Sequence, residues 1–180
     1  MDRARIVAVT TKHEGWLRIT HMRLPLFASI ATATVIADQA SKILVRAQLS
    51  ESEVWPGNFD LIRFQRVENS GAAFGILQDT GPLLIAGSLI GIAAVLLLLR
   101  TVTAKNQLYS SALALILGGA IGNLIDRLLH GTVTDFIDPT HYPAFNIADS
   151  AIVVGVFSLV LLSFYLENKQ HSPPRGEAKN

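Results

Sequence analysis

Two aspartates draw attention for the chemistry they could perform together: Asp135 in the stretch GTVTDFID and Asp149 in FNIADS. Brought close in a medium of low dielectric, two carboxyl groups cannot both ionise easily and come to share a proton. One member can then take a proton from water while the other protonates a leaving group or polarises a carbonyl. Asn146, three residues before Asp149, admits two uses. It fits the N-cap of a helix whose dipole favours Asp149 in the first turn, and it fits a neutral amide that hydrogen-bonds a carboxylate without adding charge.

Other polar residues sit where an apolar chain needs a reason for them. GGAIGNLIDR places Asn123, Asp126 and Arg127 at helical spacings of three and four, beside a small-residue face made by Gly118 and Gly122. The trio is expected to face one way, either as an interfacial anchor or as support for a polar site. Asp38 and Lys42 are four apart and read as an intrahelical ion pair that could also orient polar groups. NSGAAFG, from Asn69 to Gly75, concentrates small residues in a turn able to offer backbone N–H groups. Asp138, ahead of Pro139, reads as a solvated loop residue. With no cysteine and five scattered histidines, the chain shows no disulfide, thiolate or metal-ligand spacing. No metal and no cofactor are expected.

The elements that must position these groups follow from hydropathy. The chain has 180 residues, half of them hydrophobic and 16% charged, with a mean hydropathy of +0.40. That is too apolar for an ordinary soluble domain. The net charge of +1 and dispersed basic residues argue against a nucleic-acid partner. Three charge-free runs approach spanning length: Pro82 to Leu99, Asn106 to Ile125, and Ser150 to Leu166. A fourth, Leu24 to Ala37, is short enough for a signal-peptide core. Helix-compatible residues continue through Asp38 and Lys42 to near Arg46, which favours a retained helix.

The expected fold is an α-helical integral membrane protein with four transmembrane helices, spanning about 24–46, 82–100, 106–129 and 147–166. A small β-rich segment, carried by FDLIRFQRVEN, is expected between the first two. Residues 24–168 form the domain, with outer loops at 47–81 and 130–146, and tails at 1–23 and 169–180 that lack apolar periodicity and are expected to be mobile. Ten of the 15 Lys and Arg residues lie in the two tails and the 100–105 connection, so these should be cytoplasmic and the Asp135 loop should face outward.

Five blocks in order, DQASK, NSGAAFG, GGAIGNLIDR, GTVTDFID and FNIADS, make the chain resemble bacterial lipoprotein signal peptidase, the signal peptidase II family. The resemblance implies an intramembrane aspartic endopeptidase of the bacterial inner membrane. It would cut the signal peptide from a diacylglyceryl-modified prolipoprotein just before the lipidated cysteine. It implies Asp135 and Asp149 as the catalytic pair, with Asn123, Asp126, Arg127, Asn146, Asn69, Gly71, Asp38 and Lys42 at supporting or substrate-binding positions. The partners implied are prolipoproteins and membrane lipids, with the enzyme acting as a monomer. Three other readings stay open from the residues alone. A proton-coupled membrane protein would use the acids as a relay, a lipid-phosphate enzyme would hold Mg²⁺, and a scaffold would use the glycine face and caps for packing alone.

Overall fold

The structure, a computed structural model, describes residues 3–51, 53–56, 61–71, 81–102 and 107–171, with side chains described over 24–51, 53–56, 61–71, 81–99 and 107–167. Four helices, α1 Arg3–Gln48, α2 Gly81–Val102, α3 Gln107–His130 and α4 Ile147–His171, are joined by three strands, β1 Val54–Trp55, β2 Ile62–Asn69 and β3 Val133–Pro139. The helical backbone of α1 begins at Arg3 and passes through Pro25, ahead of where hydropathy places a span.

Three stretches are long and apolar enough to cross a membrane among the described residues: Gly81–Leu99, Gln107–His130 and Ile147–Glu167. The expected first span is not among them, because α1 carries Asp38, Lys42 and Arg46 within its second half. That half is polar for an internal reason. Its buried positions, Phe27, Ala31, Thr34, Asp38 and Lys42, recur at spacings of three and four and form one stripe. The stripe is apolar below and charged above, and it faces α3.

Helix α3 is the centre of the bundle, touching α1, α2 and α4. Its small residues allow this. A Cβ on Gly118 would lie 2.6 Å from the Thr34 side chain, and one on Gly122 would lie 2.5 Å from Asp38 Oδ2. The expected small-residue face therefore exists and is turned to α1. Gly119 does the same toward α4, where a Cβ would collide with the Ala148 carbonyl. The outer faces of α2 and α4 expose Leu89, Ile90, Leu97, Val153, Phe157 and Phe164. Such continuous apolar surface suits hydrocarbon and would be costly in water.

The strands form one antiparallel sheet in the order β1-β2-β3. The β-rich segment is thus not confined to the loop between α1 and α2, because its third strand comes from the loop after α3. β-Branched Val133 and Thr134 favour the extended form, and the next loop supplies a partner for β2. Register sets Val67 opposite Asp135 and Arg63 opposite Asp138. Asp138 is not a free loop acid, since Arg63 Nη2 lies 2.8 Å from its Oδ2. The strand continues into a short return in which Ile137 and Phe145 exchange backbone hydrogen bonds of 2.8 and 2.9 Å. That return delivers Asn146 beside β3.

Close packing at Gly122 contrasts with Gly87 on α2, where an added Cβ would meet nothing within 4 Å. Gly122→Ala should lower unfolding stability in detergent by about 1–3 kcal/mol, while Gly87→Ala should stay within about 0.5 kcal/mol of the parent. Thermal melting of the two variants side by side tests this, and equal losses would contradict the packing described.

Candidate active site

The N-terminus of α4 is built by a reciprocal cap. Asn146 Oδ1 accepts from the Asp149 N–H at 2.9 Å, and Asp149 Oδ2 accepts from the Asn146 N–H at 3.3 Å. Each side chain satisfies a backbone donor that the first helical turn leaves without a partner. The cap uses only part of each group. Asn146 Nδ2 donates to Asp135 Oδ1 at 2.7 Å and to Asn123 Oδ1 at 3.1 Å, and Asn123 Nδ2 donates to Asp149 Oδ1 at 2.7 Å. The two uses foreseen for Asn146 are therefore both realised. Asp135 and Asp149 are joined through two neutral amides.

Asp135 is held from the other side by the sheet. Asn69, at the end of β2, donates through Nδ2 to Asp135 Oδ2 at 2.8 Å. Asn69 is in turn oriented by the Gly71 N–H, which donates to its Oδ1 at 2.7 Å. Gly71 has φ +78°, a left-handed conformation suited to glycine. A side chain there would also collide with Leu84 of α2. Residues 72–80 of the small-residue turn, including most of NSGAAFG, lie outside the described residues.

Asp135 is 2% exposed, and its carboxyl is pushed up from 3.8 to about 6. Burial is the largest cause, opposed by the hydrogen bond from Asn69; the charge of Asp149 pushes further up, against the Asn146 hydrogen bond and the Lys42 charge. On β2, the central strand, Glu68 stands opposite Thr134 and lies below its ordinary value. Burial works against its ionisation, but hydrogen bonds from Arg66, Thr132 and Thr134 and the Arg66 charge outweigh it.

Below the aspartates sits a buried ionic cluster. Lys42 Nζ lies 2.8 Å from Asp38 Oδ2 and 3.0 Å from Asp126 Oδ2, with all three side chains fully buried. The expected Asp38–Lys42 pair is thus present and reaches across to α3. Lys42 also donates to Asn123 Oδ1 at 3.0 Å, and Asp38 Oδ1 accepts from the Ala148 N–H at 3.0 Å. Asp126 accepts from the Thr134 N–H at 3.2 Å, pinning β3 to α3 one residue before Asp135.

Arg127 does not join this group. Asn123 and Asp126 are buried toward α1 and α4, whereas Arg127 Nη1 donates to Ser88 of α2 at 3.2 Å. At about 100° per residue, one step along α3 is enough to turn Arg127 to a different neighbour. Five residues not singled out from the sequence, Gln39, Arg46, Glu68, Thr132 and Thr134, take part. Gln39 donates to the Gly122 carbonyl at 3.0 Å and to Asp126; Arg46 lies 3.5 Å from Asp126 and donates to Thr134 Oγ1; and Glu68 receives Thr132 and Thr134. Arg46 continues the i, i+4 series from Asp38 and Lys42, a signal present in the sequence. Among the described residues, no three His, Cys, Asp or Glu side chains are grouped as a metal ion would require. One Asp-Thr-Gly triplet, the sequence form known from soluble aspartic proteases, occurs at residues 79–81, and its first two residues lie outside the described ones.

Apolar helices that meet at one end around buried carboxylates, closed over by a small sheet, define a multi-pass membrane protein with its polar centre at a bundle end. The pattern of the family described as signal peptidase (SPase) II matches residues 30–165, and the chain belongs to that family. Curated relatives named lipoprotein signal peptidase include one from Maridesulfovibrio salexigens, 40% identical over 148 residues and covering 76% of this chain and 92% of the relative. Another, from Xylella fastidiosa, is 41% identical over 166 residues, covering 87% and 97%. A solved bacterial membrane enzyme, determined in meso at 2.3 Å resolution, is similar with a TM-score of 0.74 and 28% identity, covering 86% of this chain and 95% of that one.

A raised folded-state value has a thermodynamic consequence. Because Asp135 holds its proton up to about 6 when folded against 3.8 ordinarily, its contribution favours the folded state at low pH. The contribution is fully present below about 4 and is lost as pH rises through about 6, by at most about 3 kcal/mol. Melting of the parent and of Asp135→Asn in detergent between about pH 4 and pH 8 should show the parent losing ground to the variant as pH rises. Parallel curves would contradict the assignment.

Proposed function

We propose that this chain is an intramembrane aspartic endopeptidase that removes the signal peptide from diacylglyceryl-modified prolipoproteins, cutting just before the lipidated cysteine, with Asp135 and Asp149 as its catalytic pair. The substrate class is taken from the curated relatives' name, lipoprotein signal peptidase. The observation that carries the chemistry is the bridge Asp135–Asn146–Asn123–Asp149, in which every link is 3.1 Å or shorter. Neutral amides between two carboxyl groups hold both in place without adding the charge that would force both to ionise.

The roles divide by environment. Asp135, with its value raised to about 6, is the member that carries the shared proton. Asp149 lies at the N-terminus of α4 and accepts from Asn123 Nδ2 and the Asn146 N–H, a setting of donors and positive helix dipole that solvates an anion. Asp149 takes a proton from water as its oxygen attacks the scissile carbonyl. Asp135 gives its proton to the carbonyl oxygen. In the collapse of the tetrahedral species the proton held by Asp149 passes to the departing amine, the C–N bond breaks, and the hydroxyl proton returns to Asp135. The outer interface suits this substrate, because its signal helix lies in the bilayer and the lipid on the following cysteine would set the depth.

Placement follows the same reading. α1 and α3 bring their C-terminal ends and α4 its N-terminal end to the sheet, while Arg100 belongs to the last turn of α2 and Lys105 follows that helix in sequence. With basic connections cytoplasmic, the site lies at the outer face, both termini lie inside, and α1 serves as a fourth span acting in a monomer. Its Asp38, Lys42 and Arg46 are tolerated because they are paired within the protein.

The test is cleavage of a diacylglyceryl-modified prolipoprotein by the purified chain with a chelator present. Asp135→Asn and Asp149→Asn should each lower kcat by about 10²–10⁴-fold while remaining folded. Substantial turnover by both single variants would sink the assignment, and loss of parental turnover on chelation would point to a metal-dependent reaction.

A further inference from the structure

We propose that Lys42 is a positioning residue that acts through Asn123, fixing which end of the Asn123 amide faces Asp149. The inference rests on the aspartic reading above and names a part of the machinery that touches neither substrate nor the reacting carboxylates.

Lys42 is fully buried, and its ammonium has three protons and no acceptor capacity. Its three partners are Asp38 Oδ2 at 2.8 Å, Asp126 Oδ2 at 3.0 Å and Asn123 Oδ1 at 3.0 Å. With all three protons committed, Lys42 has no lone pair to act as base or nucleophile. Charge balance does not require the third contact. Asp38 and Asp126 are matched by Lys42 and by Arg46, which lies 3.5 Å from Asp126.

What the third contact does require is an orientation. A side-chain amide has a donor end and an acceptor end that differ little in shape. Asn123 receives Lys42 Nζ and Asn146 Nδ2 on its oxygen and gives its NH₂ to Asp149 Oδ1 at 2.7 Å. Turned over, the NH₂ would face an ammonium and another NH₂, and the carbonyl would face a carboxylate. Asn146, whose own amide is held by the Asp149 N–H on its Oδ1, brings one neutral donor to this oxygen; Lys42 brings the charged one and offers only donors whichever way it turns. Its charge thus sets the direction of the donor that holds Asp149. The charged groups around this amide are Lys42 and Asp38 from α1, Asp126 from α3, Asp149 from α4, and Asp135 from β3 through Asn146.

If Lys42 works through Asn123, their removals should not multiply. Lys42→Met is best made with Asp38→Asn, so that no buried charge is left without a partner. Relative to Asp38→Asn alone, adding Lys42→Met should lower kcat by about 10- to 100-fold, the size of one oriented hydrogen bond to a charged group, with KM within about threefold. In the Asn123→Ala background the same Lys42→Met step should change kcat by less than about threefold. The readout is cleavage of the diacylglyceryl-modified prolipoprotein, with melting recorded for every variant. Losses that multiply in the two backgrounds, no loss on adding Lys42→Met, or a loss carried by KM would overturn the proposal. Should the neutral pair fail to fold, Lys42→Arg keeps the charge while displacing the donor. It should lower kcat with Asn123 present and leave it unchanged in the Asn123→Ala background, and equal losses in both would overturn the proposal. A parent with no cleavage would instead count against the aspartic reading.

Discussion

An ammonium withdrawn from solvent between two carboxylates governs how the rest of the chain can pack. Lys42 bridges Asp38 on its own helix and Asp126 on α3, with none of the three exposed. Removing such charges from water is expensive unless the geometry is close and the remaining lone pairs are satisfied. α1 and α3 must therefore come near enough to touch, which Gly118 and Gly122 permit, since a Cβ at either position would strike α1. The leftover lone pairs recruit backbone donors from elsewhere. Asp38 takes the Ala148 N–H at the start of α4 and Asp126 takes the Thr134 N–H of β3. One ionic centre so locates both elements that carry the catalytic candidates.

The upper layer repeats this logic with neutral groups. Where Lys42 ends, Asn123 begins, and Asn123 and Asn146 pass hydrogen bonds onward to Asp149 and Asp135. The sheet contributes Asn69 as the last donor to Asp135. Compensated charge lies below and a pair of linked carboxyl groups above, one of them with its value raised to about 6. In hydrocarbon surroundings, polar side chains that find all their partners inside the protein can be kept at a fixed separation, which is what a proton-sharing pair needs.

Much of this was legible in the residues. Charge-free apolar runs marked the α2, α3 and α4 stretches long enough to cross a membrane, and the Asn146–Asp149 spacing marked the cap. Local spacing also gave the Asp38–Lys42 pair. What spacing could not give was direction in three dimensions. Arg127 neighbours Asp126 in sequence yet turns to Ser88 of another helix. Asp138 looked like a loop acid because its partner, Arg63, is supplied by a strand 75 residues away. Gln39 and Thr134 are ordinary residue types, and only the contact between α1, α3 and β3 makes them part of the cluster. The first helix is the clearest case. Its hydropathy is diluted by charges that are neutralised only once α3 is beside it.

Asp135, buried, and Asp149, half-buried, are proposed to share one proton, and the infrared carboxyl stretch reads that proton directly. Difference spectra of the detergent-solubilised protein, recorded from low to neutral pH in H₂O and D₂O, isolate buried protonated carboxyl groups. The expected result is an isotope-sensitive band that fades as pH passes about 6 and is missing from Asp135→Asn. A band that persists unchanged in Asp135→Asn, or the absence of any such band in the parent below that pH, would contradict a shared proton and leave the cap as the sole role of Asn146 and Asp149.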